Sequence, residues 1–143
     1  MDFDNSSIVS AYRAHSPTSA ELAEAAGQLF PSGLTHDSRY LRPYGIYVEK
    51  AEGSRKWDVD GNEYVDYFGG HGALLLGHGH PAIQQALQRS AQLGICCAHD
   101  MPVHIDVAET LCGLIPCAER IRFTNSGSEA TLHALRLCRA ASG

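Results

Sequence analysis

RIRFTNSGSEATLHALRLCRAASG, residues 120–143, decides the fold class. Arg120-Ile121-Arg122-Phe123-Thr124 has the composition of a short β-strand and runs directly into Asn125-Ser126-Gly127-Ser128-Glu129. That small, hydroxyl-rich turn carries a single glycine, and ATLHALRLCRAA after it has helical spacing. Strand, tight turn and helix make the first half of a βαβ unit, so the spacing predicts an α/β protein. The second half would return to a parallel neighbour through a crossover. No such return strand follows before Gly143, which predicts a piece of a larger α/β protein with apolar helix faces left uncovered.

Upstream, Pro81 opens a helix, PAIQQALQRSAQLG, with Gly94 at its end. A second helix is expected at about 104–115, closed by Pro116. Before them lies a compact β-rich unit with strands at 46–49, 55–59 and 63–68. Asp60-Gly61-Asn62 joins the last two strands, and Asp-Gly between β-formers is a strong hairpin signal. A loop rich in glycine and histidine, GGHGALLLGHGH, follows at 69–80. Nearer the N-terminus, Thr18-Ser19-Ala20-Glu21 has the form of a capping box. Its helix is expected to turn Leu22, Ala25, Ala26 and Leu29 to one side and to stop at Pro31 and Gly33. Residues 1–17 read as a loose arm and 31–44 as a loop.

With 44% hydrophobic and 19% charged residues, the 143-residue chain has the balance of a globular domain rather than a disordered tail. Its net charge of -5 argues against sequence-independent nucleic-acid binding, which depends on basic residues at phosphates. No apolar run is long enough to span a membrane, and the first residues lack a secretory signal. The five cysteines, at 96, 97, 112, 117 and 138, include no CxxC pair. They are expected to be free and mostly buried in a reducing cytoplasm.

Three groups of residues carry candidate chemistry. The turn at 124–129 would present unpaired N–H groups at the positive end of a helix dipole, which is how proteins cradle phosphate. Gly127 would let a ligand oxygen approach the backbone, and Ser126 and Ser128 add hydroxyl donors. The same residues also suit simple helix capping by Ser126 and Glu129. His71, His78, His80, His99 and His104 could be drawn into a metal site, but their spacing matches no familiar ligand set, and no metal is expected. Arg39 and Arg42 could grip a carboxylate through a bidentate fork, or simply be solvated. Lys50 and Lys56, the two lysines, fall in the β-rich unit, where solvation is the ordinary fate of a lysine.

Two long blocks, YVEKAEGSRKWDVDGNEYVDYFGGHGALLLGHGHPAI and AERIRFTNSGSEATLHALRLCRAASG, resemble the N-terminal region of class III, pyridoxal-phosphate-dependent aminotransferases, in order and in spacing. Within that family the likeness runs toward glutamate-1-semialdehyde 2,1-aminomutase and its relatives, over about residues 28–143. The resemblance implies the N-terminal part of a fold-type-I transferase. Residues 1–80 would contribute an arm, a helix and a small-domain β-hairpin unit, and 81–143 would begin the large parallel-sheet domain. It also implies a homodimer acting on an amino-acid or semialdehyde substrate, with pyridoxal 5'-phosphate as cofactor. By the match of NSGSEA, Gly127 and Ser128 would hold the cofactor phosphate, with Ser126 beside them. Arg39, in THDSRYL, would bind the substrate carboxylate. His71 stands where the aminomutases typically carry a tryptophan facing substrate. No catalytic residue is expected within these residues, because the family's Schiff-base lysine would lie beyond Gly143. The chain alone is therefore expected to be inactive in transamination. A non-catalytic domain binding a phosphate-bearing ligand or a partner chain is the alternative reading.

Overall fold

A computed structural model describes residues 6–95 and 97–143. They fall into two compact units, 1–93 and 94–143. In the first, helices α1 (Ser7–His15) and α2 (Pro17–Leu29) precede three strands, β1 (Val48–Glu52), β2 (Arg55–Asp58) and β3 (Glu63–Val65), and then helix α3 (Pro81–Leu93). The strands form one antiparallel sheet in the order β1-β2-β3. The second unit holds α4 (Pro102–Leu114) and α5 (Gly127–Ser142).

The hairpin at Asp60-Gly61-Asn62 forms as expected, and its turn is the centre of the first unit. Asp58 is fully buried. Its Oδ1 accepts from the backbone N–H of Asp60 at 3.0 Å and of Asn62 at 2.8 Å. Its Oδ2 accepts from Asn62 Nδ2 at 3.0 Å and from the Tyr64 hydroxyl at 2.8 Å. Asp60 then reaches out of the turn to the start of α2. There Oδ1 accepts from Thr18 N–H at 2.6 Å, and Oδ2 from Ser19 N–H at 3.0 Å and Ser19 Oγ at 2.7 Å. Asn62 Nδ2 donates to the carbonyl of His15 at the end of α1, 2.8 Å away. A three-residue turn thus joins two helices to the sheet.

Several expectations are corrected by this arrangement. The Thr18–Glu21 capping box does not form; the carboxylate of Asp60, 42 residues away, satisfies the first amides of α2 instead. An anion there also complements the helix dipole. The arm is helical over Ser7–His15, with Ser6 Oγ accepting from Val9 N–H; residues 1–5 lie outside the described residues. The side of α2 that is buried holds Ser19 and Ala26 rather than Leu22 and Leu29, which are exposed. The first strand is shifted to Val48–Glu52 by a bulge between Val48 and Lys50, and the third ends at Val65, where Asp66 leaves the ladder. Residues 120–124 form no strand, because the described residues supply no partner to pair with them. α5 begins at Gly127, so the turn is shorter than expected.

Ala26 is the one buried apolar residue among those described, whereas Ser16, Ser19 and Asp58 are buried and polar. Leu87, Leu93, Ile105, Leu114, Leu132, Leu135 and Leu137 are exposed on α3, α4 and α5, as the expectation of uncovered helix faces requires. The thiols follow the same pattern. Cys97, Cys117 and Cys138 are free but exposed and Cys112 is only half-buried, contrary to the expectation of mostly buried thiols. Cys96 lies outside the described residues. No described helix is long and apolar enough to cross a membrane.

Burial alone would raise the carboxyls of Asp58 and Asp60, but the hydrogen bonds they accept outweigh it. Asn62, Tyr64 and Asp60 N–H hold Asp58 below its ordinary value. Ser19 and Thr18 pull Asp60 down to about 2. A carboxyl with a lowered folded-state pKa stabilises the fold above its unfolded value and loses that stabilisation as pH falls through the folded one. The first unit is therefore expected to be stable to acid until pH falls below about 4 and to lose stability progressively toward about 2. Thermal melts across that range should show the fall, and Asp60→Asn should flatten it. A melting temperature indifferent to pH between about 2 and 4 would contradict the role given to these carboxylates.

Candidate functional site

Ser126 is the N-cap of α5: it is extended (φ -151, ψ 159), and its Oγ accepts from Glu129 N–H at 3.2 Å. Glu129 folds back so that Oε2 accepts from Asn125 N–H at 2.7 Å. Thr124 Oγ1 donates to the carbonyl of Ser126 at 3.1 Å, and Thr131 Oγ1 to that of Gly127 at 2.9 Å. The capping reading of Ser126 and Glu129 is thus correct. The carboxylate of Glu129 is also spent on Asn125 rather than left facing the helix end.

Capping does not use up the turn. The first amides of a helix have no intrahelical acceptor. Among the described residues, no acceptor serves the N–H groups of Gly127 or Ser128. A Cβ built on Gly127 would meet nothing within 4 Å, and Gly127 and Ser128 are both exposed. Two N–H groups without an acceptor therefore stand on exposed residues at the positive end of a 16-residue helix. Chemically, that arrangement can hold a small oxyanion.

Arg39 lies in the first unit, in a 3-10 turn over Asp37–Arg39, and donates from Nη1 to Thr35 Oγ1. It lines a cavity of about 500 Å³ walled also by Ala26, Phe30, Tyr40, Tyr44 and Tyr47. Arg42 does not join it in a fork; its Nε donates to the Tyr40 hydroxyl at 2.6 Å. His71 is not among the residues lining that cavity. It sits in the glycine-rich loop at φ 60, its ring edge-on to Phe68 with centroids 4.2 Å apart.

The two lysines are both engaged. Lys50 Nζ lies over the ring of Trp57, 4.6 Å from its centroid. Lys56 Nζ donates to Asp66 Oδ1 at 3.2 Å. His78 Nε2 is 2.6 Å from Asp66 Oδ2, so that ring nitrogen is paired with a carboxylate. No group of three or more His, Cys, Asp or Glu side chains converges among the described residues. The hydrogen bond from His78, with backbone N–H of Phe68, Lys56 and Gly69 N–H in support, holds the Asp66 carboxyl well below the usual carboxylate range despite its burial. This Asp66 cluster had escaped the reading of the sequence. Its signal was an acid at a strand end immediately before a glycine loop.

Comparison with known proteins gives the class. The family model for class-III aminotransferases matches residues 37–143. Glutamate-1-semialdehyde 2,1-aminomutase of Thermoplasma volcanium is 43% identical over 126 residues, covering 88% of this chain and 30% of the relative. A β-phenylalanine aminotransferase from Variovorax paradoxus superposes with a TM-score of 0.87 at 30% identity, over 90% of this chain and 30% of that one. A transaminase with pyridoxal phosphate bound superposes at 0.84 with 34% identity, over 87% and 30% of the two chains. The chain belongs to the class-III aminotransferase family, and its fold is that of the N-terminal part of a fold-type-I transferase. It spans 30% of the length of the curated relative.

Gly127 is not held by its backbone: its φ is outside the left-handed region, and a methyl group there meets only space. Gly127→Ala is therefore expected to leave α5 intact. Amide hydrogen exchange along 130–141 should match the parent within about twofold or be slower, since alanine is the better helix former. Faster exchange through the helix would show that the glycine is needed for the fold.

Proposed function

We propose that residues 1–143 are the N-terminal portion of a pyridoxal-phosphate-dependent aminotransferase or 2,1-aminomutase, and that Ser126, Gly127 and Ser128 seat the phosphate of its cofactor. The observation that carries this is the pair of amides without an acceptor on exposed Gly127 and Ser128 at the start of α5. The residues present fit the group: the seat offers N–H donors, hydroxyls and a helix dipole, and its nearest acid is turned onto Asn125. In this reading 1–80 belong to the small domain and 81–143 open the large one, in a cytoplasmic homodimer.

When bound, pyridoxal phosphate supplies an electron sink for the carbon from which a proton is removed. The chain's own residues anchor and orient. Gly127 and Ser128 N–H donate to phosphate oxygens. Ser126 Oγ keeps accepting from Glu129 N–H while its own proton is free to be donated outward. Arg39, on its cavity wall, takes the carboxylate of an amino-acid or semialdehyde substrate; His71, which does not line that cavity, is given a substrate-facing place by the family resemblance alone. Neither lysine here moves a proton, because Lys50 is held on Trp57 and Lys56 on Asp66. Proton transfer falls to a lysine outside these residues, and the isolated 143-residue chain is expected to show no transaminase turnover.

Two substitutions in the full-length enzyme test the assignment. Gly127→Val puts a branched side chain into the open space and should weaken pyridoxal phosphate at least about tenfold, or about 1.4 kcal/mol, read by titrating the bound-cofactor absorbance. Unchanged affinity would remove the seat from this turn. Arg39→Ala should raise KM for a carboxylate-bearing substrate roughly ten- to a hundredfold, the loss of a charged hydrogen bond of about 1.5–3 kcal/mol. An amine lacking the carboxylate should be unaffected. Equal losses on both substrates would deny Arg39 its role.

A further inference from the structure

Between Val65 and Pro81 the chain makes a loop that opens and closes on one carboxylate. Asp66 is 6% exposed in its side chain. Its Oδ1 accepts from the N–H of Phe68 at 3.0 Å and of Gly69 at 3.3 Å, where the loop departs. The same oxygen accepts from Lys56 Nζ at 3.2 Å, on strand β2. Its Oδ2 takes His78 Nε2 at 2.6 Å, where the loop returns. The returning end is also fixed by its backbone: Gly53 N–H donates to His78 C=O at 2.9 Å and His78 N–H to Gly53 C=O at 2.8 Å.

We propose that Asp66 is a positioning residue: it clamps both ends of the loop 67–78 to β2 and, through Phe68, fixes where His71 stands. The inference deepens the reading of His71 as a substrate-facing residue and rests on it. The path is short. Asp66 holds the backbone of Phe68, and the Phe68 ring packs edge-on against the His71 ring at 4.2 Å. His71 itself holds a left-handed φ of 60, a conformation that persists in a non-glycine residue only when its surroundings impose it. Inside the loop, Gly72 N–H donates to Phe68 C=O at 3.1 Å and Leu74 N–H to Gly69 C=O at 3.0 Å. Those bonds start from the two residues whose amides Asp66 holds. Releasing the carboxylate therefore releases the base from which His71 is presented, while the phosphate turn at 124–129 shares no residue with the clamp.

The test uses the full-length enzyme with Asp66→Asn and, in case that variant fails to fold, Lys56→Met and His78→Phe, which each remove one donor. Two readouts are taken: limited chymotrypsin cleavage after Leu74–Leu76, where Leu75 is 91% exposed, and the separation of KM from kcat. Cleavage is expected to rise at least about fivefold in Asp66→Asn and less in the single-donor variants. KM for the amino substrate should rise several-fold, with kcat and bound-cofactor absorbance held within about twofold. Cleavage at the parent rate in every folded variant would overturn the clamp. Faster cleavage accompanied by loss of cofactor absorbance and kcat would make Asp66 merely structural and would also overturn the proposal. Faster cleavage with KM unmoved would uphold the clamp and instead remove His71 from the substrate-facing surface.

Discussion

The first unit depends on the carboxylates of the hairpin turn. Asp58 and Asp60 stand two residues apart and face in different directions: one ties the turn to itself, the other ties it to the start of α2. A buried acid is costly unless its oxygens are filled, and the four hydrogen bonds accepted by Asp58 fill them. The Tyr64 hydroxyl is committed to that carboxylate, and burial together with the bond to Asp58 pushes its own pKa up to about 12. In a unit whose buried residues are mostly polar, these directional bonds settle geometry that a large apolar core would otherwise settle. The register of β2 against β3, the start of α2 and the end of α1 all meet in one turn.

The phosphate turn is built differently, and the difference bears on function. Every hydrogen bond that shapes residues 124–131 is local, spanning two to four residues. The proposed seat would need only the helix that starts there, and its amides are in place even though α5 exposes Leu132, Leu135 and Leu137. Arg39 is likewise held locally, its Nη1 donating to Thr35 Oγ1 and its N–H to the carbonyl of His36, whereas the loop that carries His71 is tied at Asp66 to Lys56 and His78. The proposed cofactor seat and the loop that carries His71 are therefore stabilised by separate interactions.

What could be read from the residues divides along the same line. Features with local causes were legible: the Asp-Gly hairpin, the helix opened by Pro81, the cap at Ser126 and the turn that follows it. Features that depend on distant partners were not. Thr18 and Glu21 have the form of a capping box, yet the amides of Thr18 and Ser19 turn to Asp60, and no local pattern announces a partner so far along the chain. Arg120–Thr124 has strand composition, but strand is a property of a pair, and the pairing residues are not among those described. The leucine side of α2 was misjudged for a related reason: the face turned inward is chosen by the Ser19–Asp60 contact rather than by hydrophobicity.

Two glycines show how structure separates roles that sequence makes look alike. A Cβ on Gly77 would lie 2.8 Å from the carbonyl oxygen of Gly53, and its φ of +78 is in the left-handed region. That glycine is required by the fold, because the loop must press its backbone against the tip of the β1–β2 hairpin. Gly127 has neither constraint: its conformation suits any residue and the space beside it is empty. At a helix start whose first amides have no acceptor among the described residues, a glycine free of both constraints is compatible with the proposed phosphate seat and is not demanded by the fold of those residues. An oxyanion at the helix end is the ligand the proposal assigns to it, and the smallest residue would let that ligand reach the backbone.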